Sequence, residues 1–193
     1  MADKEEAEPQ YDKAVAERVA LAEFGKLRDE ISGRSTAAWT LVGLNATASS
    51  ALAGFVLSSK ADPRLLLLLP LLTPCLGLLF IDHATNIGRI GDYINTVLKP
   101  LLRRISGEDK LLSYEEWVDN FETNKLRRIV PFGLPLVLFF NIAPVTAPVY
   151  TASRIDSPWP WVLWALGGAT TLVEIVFWVG FLYPPLKRAI SGK

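Results

Sequence analysis

The stretch LLLLLPLLTPCLGLLFIDHATNIGRIGDYI, residues Leu65 to Ile94, decides the fold. Its first part, up to Ile81, is an apolar run interrupted by Pro70 and Pro74. A helix that crosses the hydrocarbon core of a bilayer needs about 20 mostly apolar residues, with roughly 17 to 25 tolerated. Beyond that run the stretch turns polar, yet isoleucines recur at helical spacing. It therefore predicts a helix that crosses a membrane and continues past it.

Three further runs have the length and composition of membrane spans: Thr36–Leu57, Ile129–Tyr150 and Trp159–Tyr183. The short connections SSKADPR and TASRIDSP join the four runs into two pairs. Tryptophans at the start of the last run are typical of an aromatic belt at a membrane interface. We therefore predict an all-α membrane protein built from two transmembrane helical hairpins, with four spans.

The distribution of basic residues predicts the orientation of these spans. Only three of the 20 basic residues, Lys60, Arg64 and Arg154, lie in the two hairpin connections. Since Lys and Arg concentrate on the cytoplasmic side, both termini and the central segment are expected in the cytoplasm, with the chain in the plasma (inner) membrane. The expected segments are 1–35 (amphipathic N-terminal helix), 36–81 (first hairpin), 82–128 (cytoplasmic helices), 129–183 (second hairpin) and 184–193 (tail).

Composition argues against several classes of function. The 20 basic and 20 acidic residues cancel, so no net field would attract nucleic acid. With one histidine and the single Cys75, a subunit lacks the usual ligands of a zinc site and cannot form an internal disulfide. No phosphate-binding loop, serine elbow or metalloprotease motif is present, so we expect neither a cofactor nor enzymatic activity.

Apolar residues at steps of three and four, the spacing of a coiled-coil seam, continue outside the first hairpin. The N-terminal arm carries Ala16, Ala20, Phe24, Leu27 and Ile31, and the return segment carries Ile87, Ile90, Ile94, Val97, Leu101 and Ile105. Because a hairpin brings its two ends together, these seams are predicted to pair into an antiparallel cytoplasmic stalk, with Pro100 bending its second helix. Ser113 and Glu116 form a capping-box pattern that predicts a third cytoplasmic helix.

Polar residues gather where the predicted stalk meets the membrane. Asp82 and His83 are neighbours in sequence, so on a helix they point about 100° apart and do not form a catalytic pair. We expect Asp82 to face Arg28 or Arg34 on the neighbouring helix, or Asn86 and Arg89 on its own. His83 could sense pH at the interface.

Glu174 is the one acidic residue near the middle of a predicted span, where an ionised carboxylate costs a few kcal/mol. It should be protonated, paired or facing water. Its neutral partners within the membrane would be Asn45, Asn141, Thr146 or Thr170. The sequence leaves two interpretations open, a structural hydrogen bond between helices and a proton or ion pathway.

Several segments resemble a known family: KLRDEISGRS leading into LVGLNATASSALAGFVLS, then LLFIDHATNIGRIGDYINTVLKPLL, then YEEWV. Together they are similar to small actinobacterial integral membrane proteins of uncharacterised function. The resemblance implies a shared stalk base and no catalytic residues. The stalk-base positions are Arg28, Glu30, Arg34, Asp82, His83, Arg89 and Tyr93. More distantly, the helix, hairpin and helical return resemble SLATT-type membrane effectors linked to nucleotide signalling, which implies an oligomer that perturbs the bilayer when triggered.

The leading hypothesis is a non-enzymatic, homo-oligomeric membrane protein that forms a pore or perturbs the bilayer under control of the cytoplasmic stalk. Its expected partners are the lipid bilayer, further copies of the chain, and a cytoplasmic protein or nucleotide signal. One alternative is a small proton-coupled transporter that uses Glu174, and another is a membrane-anchored interaction protein. A lipid-directed enzyme acting through His83 ranks last.

Overall fold

The computed structural model describes residues 13–58, 61–108, 112 and 125–191, with side chains for 14–58, 61–108, 112, 133–153 and 155–183. All regular structure within these residues is helical. The predicted third cytoplasmic helix, with its capping pair Ser113 and Glu116, lies outside the described residues.

Four long helical stretches make up the described chain. Their elements are α1 (Lys13–Ser58), a 3₁₀ turn (Pro63–Leu68), α2 (Leu69–Tyr93), a π-turn (Ile94–Leu98), α3 (Lys99–Ser106), α4 (Lys125–Thr151), a 3₁₀ turn (Ala152–Arg154) and α5 (Pro158–Ser191). The stretches long and apolar enough to cross a membrane are Ala14–Ser58, Pro63–Ser106, Gly133–Thr151 and Pro158–Tyr183. Within the described residues, the prediction of an all-helical fold with four candidate membrane spans is therefore confirmed.

The second stretch is the central one, because α1, α4 and α5 all pack against α2. In the most apolar 18-residue window of the second stretch, 56% of the residues are buried, compared with 11% in the corresponding window of α1. The main core joins all four helices. It consists of Ala38, Leu76, Phe80, Ile81, Phe140 and Trp178. Apolar side chains on the outer surfaces of α1, α4 and α5 are widely exposed, as expected for helices whose solvent is lipid.

Helix α1 is longer than a bilayer requires. Its 46 residues span roughly 69 Å, more than twice the thickness of a hydrocarbon core of about 30 Å. At one end Val56 clusters with Leu66, Leu69 and Ala147. Toward the other end a separate apolar cluster joins α1 to the α2–α3 segment. It consists of Ala20, Ile94, Leu98 and Leu102, flanked by Phe24, Leu27, Ile31 and Ile90.

The π-turn corrects one sequence prediction. Leu98 and Leu102 are buried in this second cluster, whereas the predicted seam residues Val97 and Leu101 are 48% and 42% exposed. A π-turn holds one more residue than an α-turn, so it rotates the buried face by one position. It lies just before Pro100, which cannot donate a hydrogen bond to the preceding turn.

The two short connections are tied to each other. Arg64, the second residue of the first 3₁₀ turn, forms an ion pair with Asp156 in the connection between α4 and α5. The carboxylate of Asp62 caps the same 3₁₀ turn by accepting a hydrogen bond from the Arg64 backbone amide at 2.9 Å. This contact fixes one end of the second stretch relative to α5.

Candidate functional site: an intramembrane polar cluster and the outer face of α1

Glu174 is completely buried between α5 and α2. One carboxyl oxygen, Oε1, accepts a hydrogen bond from Trp178 Nε1 at 3.0 Å, one turn further along α5. The other oxygen, Oε2, is buried and has no hydrogen-bond partner among the described residues. The carboxyl group lies directly against Gly77, where any Cβ atom would overlap it. Gly77 is therefore what lets α2 accommodate an acidic side chain in the core.

A second polar contact joins the same two helices. Pro74 has no backbone N–H, so the carbonyl of Pro70, four residues earlier, loses its helical partner. Thr170 of α5 supplies the missing donor, since its hydroxyl lies 2.7 Å from the Pro70 oxygen. The helices approach closely because Gly167 lies against the Pro70 ring. The hydroxyl thus satisfies a backbone group that water cannot reach.

The two contacts share one register. Pro70 meets Gly167, and seven residues later on each helix Gly77 meets Glu174. Residue numbers therefore rise in the same direction along α2 and α5, with the spacing of two helical turns. This repeat is typical of helices whose side chains interlock along a shallow crossing angle.

Aromatic rings close one side of the cluster. Trp178 is 2% exposed and lies 5.9 Å from the Phe80 ring and 6.2 Å from the Phe140 ring, measured between centroids. Because Trp178 is also the hydrogen-bond donor to Glu174, the carboxyl group is held by a fully packed side chain. Glu174 lines neither the groove between α2 and α5 nor the groove that α1 forms with α4 and the first 3₁₀ turn.

The structure does not give Glu174 the partners that the sequence predicted for it. Asn141 donates to the Val137 carbonyl of its own helix at 2.8 Å, and Asn45 donates to the Phe139 carbonyl of α4 at 3.4 Å. Both amide oxygens are buried without a partner among the described residues. Asn45 thus joins α1 to α4, while Asn141 is a local contact.

The predicted stalk-base residues also divide between several contacts. Arg34 pairs with Glu30 on its own helix at 2.8 Å rather than with Asp82. Tyr93 donates a hydrogen bond of 2.8 Å to Glu23 of α1.

The other predicted stalk-base residues do not meet each other. Arg28 stacks over the ring of Phe24, 5.5 Å from its centroid. Asp82 is exposed, and Arg89 lines an open groove between α2 and α5. His83 is half-buried, with Nδ1 unpartnered among the described residues. These contacts do not bring the predicted stalk-base residues together at one site.

Sequence reasoning missed a face of α1. Eight exposed residues lie along one side of this helix. Each of them is small or carries a hydroxyl group: Thr36, Thr40, Gly43, Thr47, Ser50, Ala51, Gly54 and Ser58. They lie opposite the buried side of α1, which carries Ala38, Asn45 and Val56. We call these eight residues the small-residue face. Their spacing, mostly of three or four, was the available signal.

Four of the five hydroxyl groups of this face, those of Thr36, Thr40, Thr47 and Ser58, donate to carbonyl groups of the same helix. Thr40 donates to the Thr36 carbonyl at 2.9 Å, Thr47 to that of Gly43 at 2.9 Å, and Ser58 to that of Gly54. Such bonds let hydroxyl groups enter a bilayer without an unpaired proton, while their oxygens still accept. Added Cβ atoms on Gly43 and Gly54 would meet nothing within 4 Å. The small-residue face is therefore unobstructed at both glycines.

The fold and these contacts define the chain as an all-helical membrane protein with four candidate spans and a polar cluster between two of them. No protein-family model, curated protein or solved structure matches this chain.

Proposed function

We propose that this protein is a non-enzymatic, homo-oligomeric membrane protein whose copies associate through the small-residue face of α1 and enclose a pore. The observation that carries the proposal is that face, which runs the length of a span and is exposed along it. Small residues drive helix association in membranes because they let two backbones approach closely. Large apolar residues, which suit lipid, flank the face at Trp39, Leu44 and Phe55.

The hydroxyl groups of the same face supply the lining of the pore. In a ring of α1 helices, the edge of this face that carries Gly43 would contact the next subunit. The other edge carries Thr40, Thr47 and Ser58, which would form successive rings of oxygen atoms around the axis. Oxygen atoms with free lone pairs replace part of the water around a permeating cation. The main core of the subunit is buried, and Glu174 is buried beside it.

The extension beyond the membrane is the second element of the proposal. We infer that the N-terminal part of α1 and the α2–α3 segment form an antiparallel stalk in the cytoplasm, in line with the positive-inside distribution of basic residues. Support comes from the apolar cluster around Ala20 and Leu98 and from the bond between Tyr93 and Glu23. Exposed apolar residues Val19 and Val97 leave part of the stalk able to bind a partner.

This arrangement agrees with the resemblance to actinobacterial membrane proteins and SLATT-type effectors, which implies a triggered oligomer in the plasma membrane. A cytoplasmic protein or nucleotide signal would then act on the stalk. Bilayer lipid and further copies of the chain are its remaining partners.

The test is ion leak from liposomes that contain the full chain at increasing protein-to-lipid ratio. A pore made from several subunits requires their association, so leak per protein should rise steeply with ratio. Crosslinking of the same liposomes should yield covalent oligomers over the same range. Leak strictly proportional to protein, or tight liposomes that also yield no covalent oligomers at any ratio, would contradict the proposal.

A proton-coupled transporter is the second candidate, and one observation favours it: Oε2 of Glu174 is a buried acidic oxygen without a partner among the described residues. Glu174→Gln separates the two candidates. Glutamine keeps an acceptor for Trp178 but cannot titrate, so a transporter would lose proton-coupled uptake. Under the pore proposal the liposome leak of Glu174→Gln stays within about twofold of the original protein.

Glu174→Leu is the matched control for the structural role of this residue. It removes the acceptor and leaves the buried Trp178 N–H unpaired, which costs about 1–3 kcal/mol. We expect a lower thermal midpoint in detergent for Glu174→Leu than for Glu174→Gln. Equal midpoints would show that the hydrogen bond to Trp178 contributes nothing to stability.

A further inference from the structure

A groove of about 700 Å³ opens between α2 and α5 on the side away from α1. Its walls are apolar or small and include Ile81, Ala84 and Gly88 of α2 together with Phe177, Gly180 and Phe181 of α5. Two charged residues, Arg89 and Asp92, line its end. They follow the apolar run of α2, at the level where this helix leaves the hydrocarbon core.

Neither charged side chain is in an ion pair within the described part of the chain. The ion pairs among the described residues join Glu30 to Arg34 and Arg64 to Asp62 and Asp156, so neither Arg89 nor Asp92 takes part in one. Both side chains are exposed. Being three residues apart, they lie on the same side of α2, with Asp92 about 4.5 Å further from the membrane centre.

We propose that this groove binds a phospholipid with a primary ammonium headgroup, of the phosphatidylethanolamine class. Charge complementarity selects this occupant. An acyl chain fits the apolar walls, the phosphate meets the Arg89 guanidinium, and the ammonium reaches the Asp92 carboxylate. In such a lipid two methylene groups separate phosphate from ammonium, which matches the offset of one helical turn between Arg89 and Asp92. Guanidinium groups hold phosphates through paired, charge-assisted hydrogen bonds.

The same arrangement discriminates between headgroups. Phosphatidylglycerol offers the phosphate alone, and its negative charge would lie near Asp92 without a cation to offset it. Phosphatidylcholine has a quaternary ammonium, which cannot donate a hydrogen bond to the carboxylate. The groove is separate from the small-residue face of α1, so this inference stands whether or not the protein forms a pore.

The experiment is native mass spectrometry of the full chain in detergent, titrated separately with phosphatidylethanolamine, phosphatidylglycerol and phosphatidylcholine. The original protein should retain the first at least about fivefold more than the other two, given the strength of a charge-assisted hydrogen bond. Arg89→Gln should lower retention of phosphatidylethanolamine by about tenfold. Asp92→Asn should bring phosphatidylethanolamine and phosphatidylglycerol within about twofold of each other.

A pair of glycine variants tests the place of binding. Cβ atoms added at Gly180 or Gly168 of α5 meet nothing within 4 Å, but only Gly180 lines the groove. Gly180→Leu should therefore abolish selective retention, and Gly168→Leu should leave it unchanged. Circular dichroism and size-exclusion chromatography check that both variants fold. If Gly180→Leu does not fold, the lipid retention of Arg89→Gln, a substitution at an exposed residue, tests the place of binding instead.

Three results would overturn the inference. The first is equal retention of the three lipids by the original protein, and the second is retention that Arg89→Gln leaves unchanged. The third is a change of oligomeric state in Gly180→Leu with lipid retention intact, which would show that a second copy of the chain occupies the groove.

Discussion

Gly167→Leu is expected to prevent the membrane part of this protein from folding stably. A Cβ atom at position 167 would lie 2.7 Å from Cγ and 2.8 Å from Cβ of Pro70, well inside contact distance. The proline ring is fixed to its backbone and cannot rotate aside. Leucine would thus force α5 away from α2 and break the bond between Thr170 and the Pro70 carbonyl. We expect a loss of about 3 kcal/mol or more, at the upper end for overpacked cores.

The neighbouring residue provides the control for this variant. Gly168 has nothing within 4 Å of an added Cβ atom, so Gly168→Leu should change stability by less than about 0.5 kcal/mol. The measurement is the thermal midpoint of unfolding in detergent, with the monodisperse fraction after purification as a second readout. If Gly167→Leu unfolded at the same temperature as Gly168→Leu, the described contact between α2 and α5 would be wrong.

The double variant Gly43→Leu/Gly54→Leu has the largest effect expected on function. Both glycines lie on the small-residue face, and a Cβ atom added to either meets nothing within 4 Å. The subunit should therefore fold as before, while two leucines prevent neighbouring α1 helices from approaching closely. We expect crosslinked oligomers to fall at least about tenfold, which corresponds to about 1.4 kcal/mol of association free energy. Liposome leak should fall to the level of protein-free liposomes.

Gly168→Leu serves again as the matched control, since it also adds a leucine to a lipid-exposed glycine of a span. It should leave both association and leak unchanged. Leak that survives in the double variant and in the control alike would place the interface elsewhere on the subunit.

The spans are predictable from the sequence because run length and hydropathy are local properties. The α1 side of the second apolar cluster is also predictable, since Ala20, Phe24, Leu27 and Ile31 follow an uninterrupted helical period. The side of this cluster that the α2–α3 segment supplies is predictable only as far as Ile94. Beyond it the π-turn shifts the buried positions to Leu98 and Leu102, and no local pattern marks where a helix gains a residue.

The polar cluster is predictable only in part. Glu174 stands out in the sequence because an acidic residue inside an apolar run is costly. Its bond with Trp178 follows from a spacing of four residues, which places both side chains on one helix face. The roles of Gly77 and Gly167 depend on the register between α2 and α5, and a single sequence carries no information on register between distant helices.

Thiol accessibility at position 47 tests the proposed pore most directly. Thr47→Cys is made in a Cys75→Ala background and treated in liposomes with a charged, water-soluble thiol reagent, which reacts only with the thiolate that forms where water is present. We expect modification at position 47 and a fall in leak, with Ser58→Cys at the helix end reacting and Ala169→Cys on the exposed side of α5 remaining unreactive. If the thiol at 47 resists the reagent as that at 169 does, while position 58 reacts, α1 faces lipid and encloses no pore.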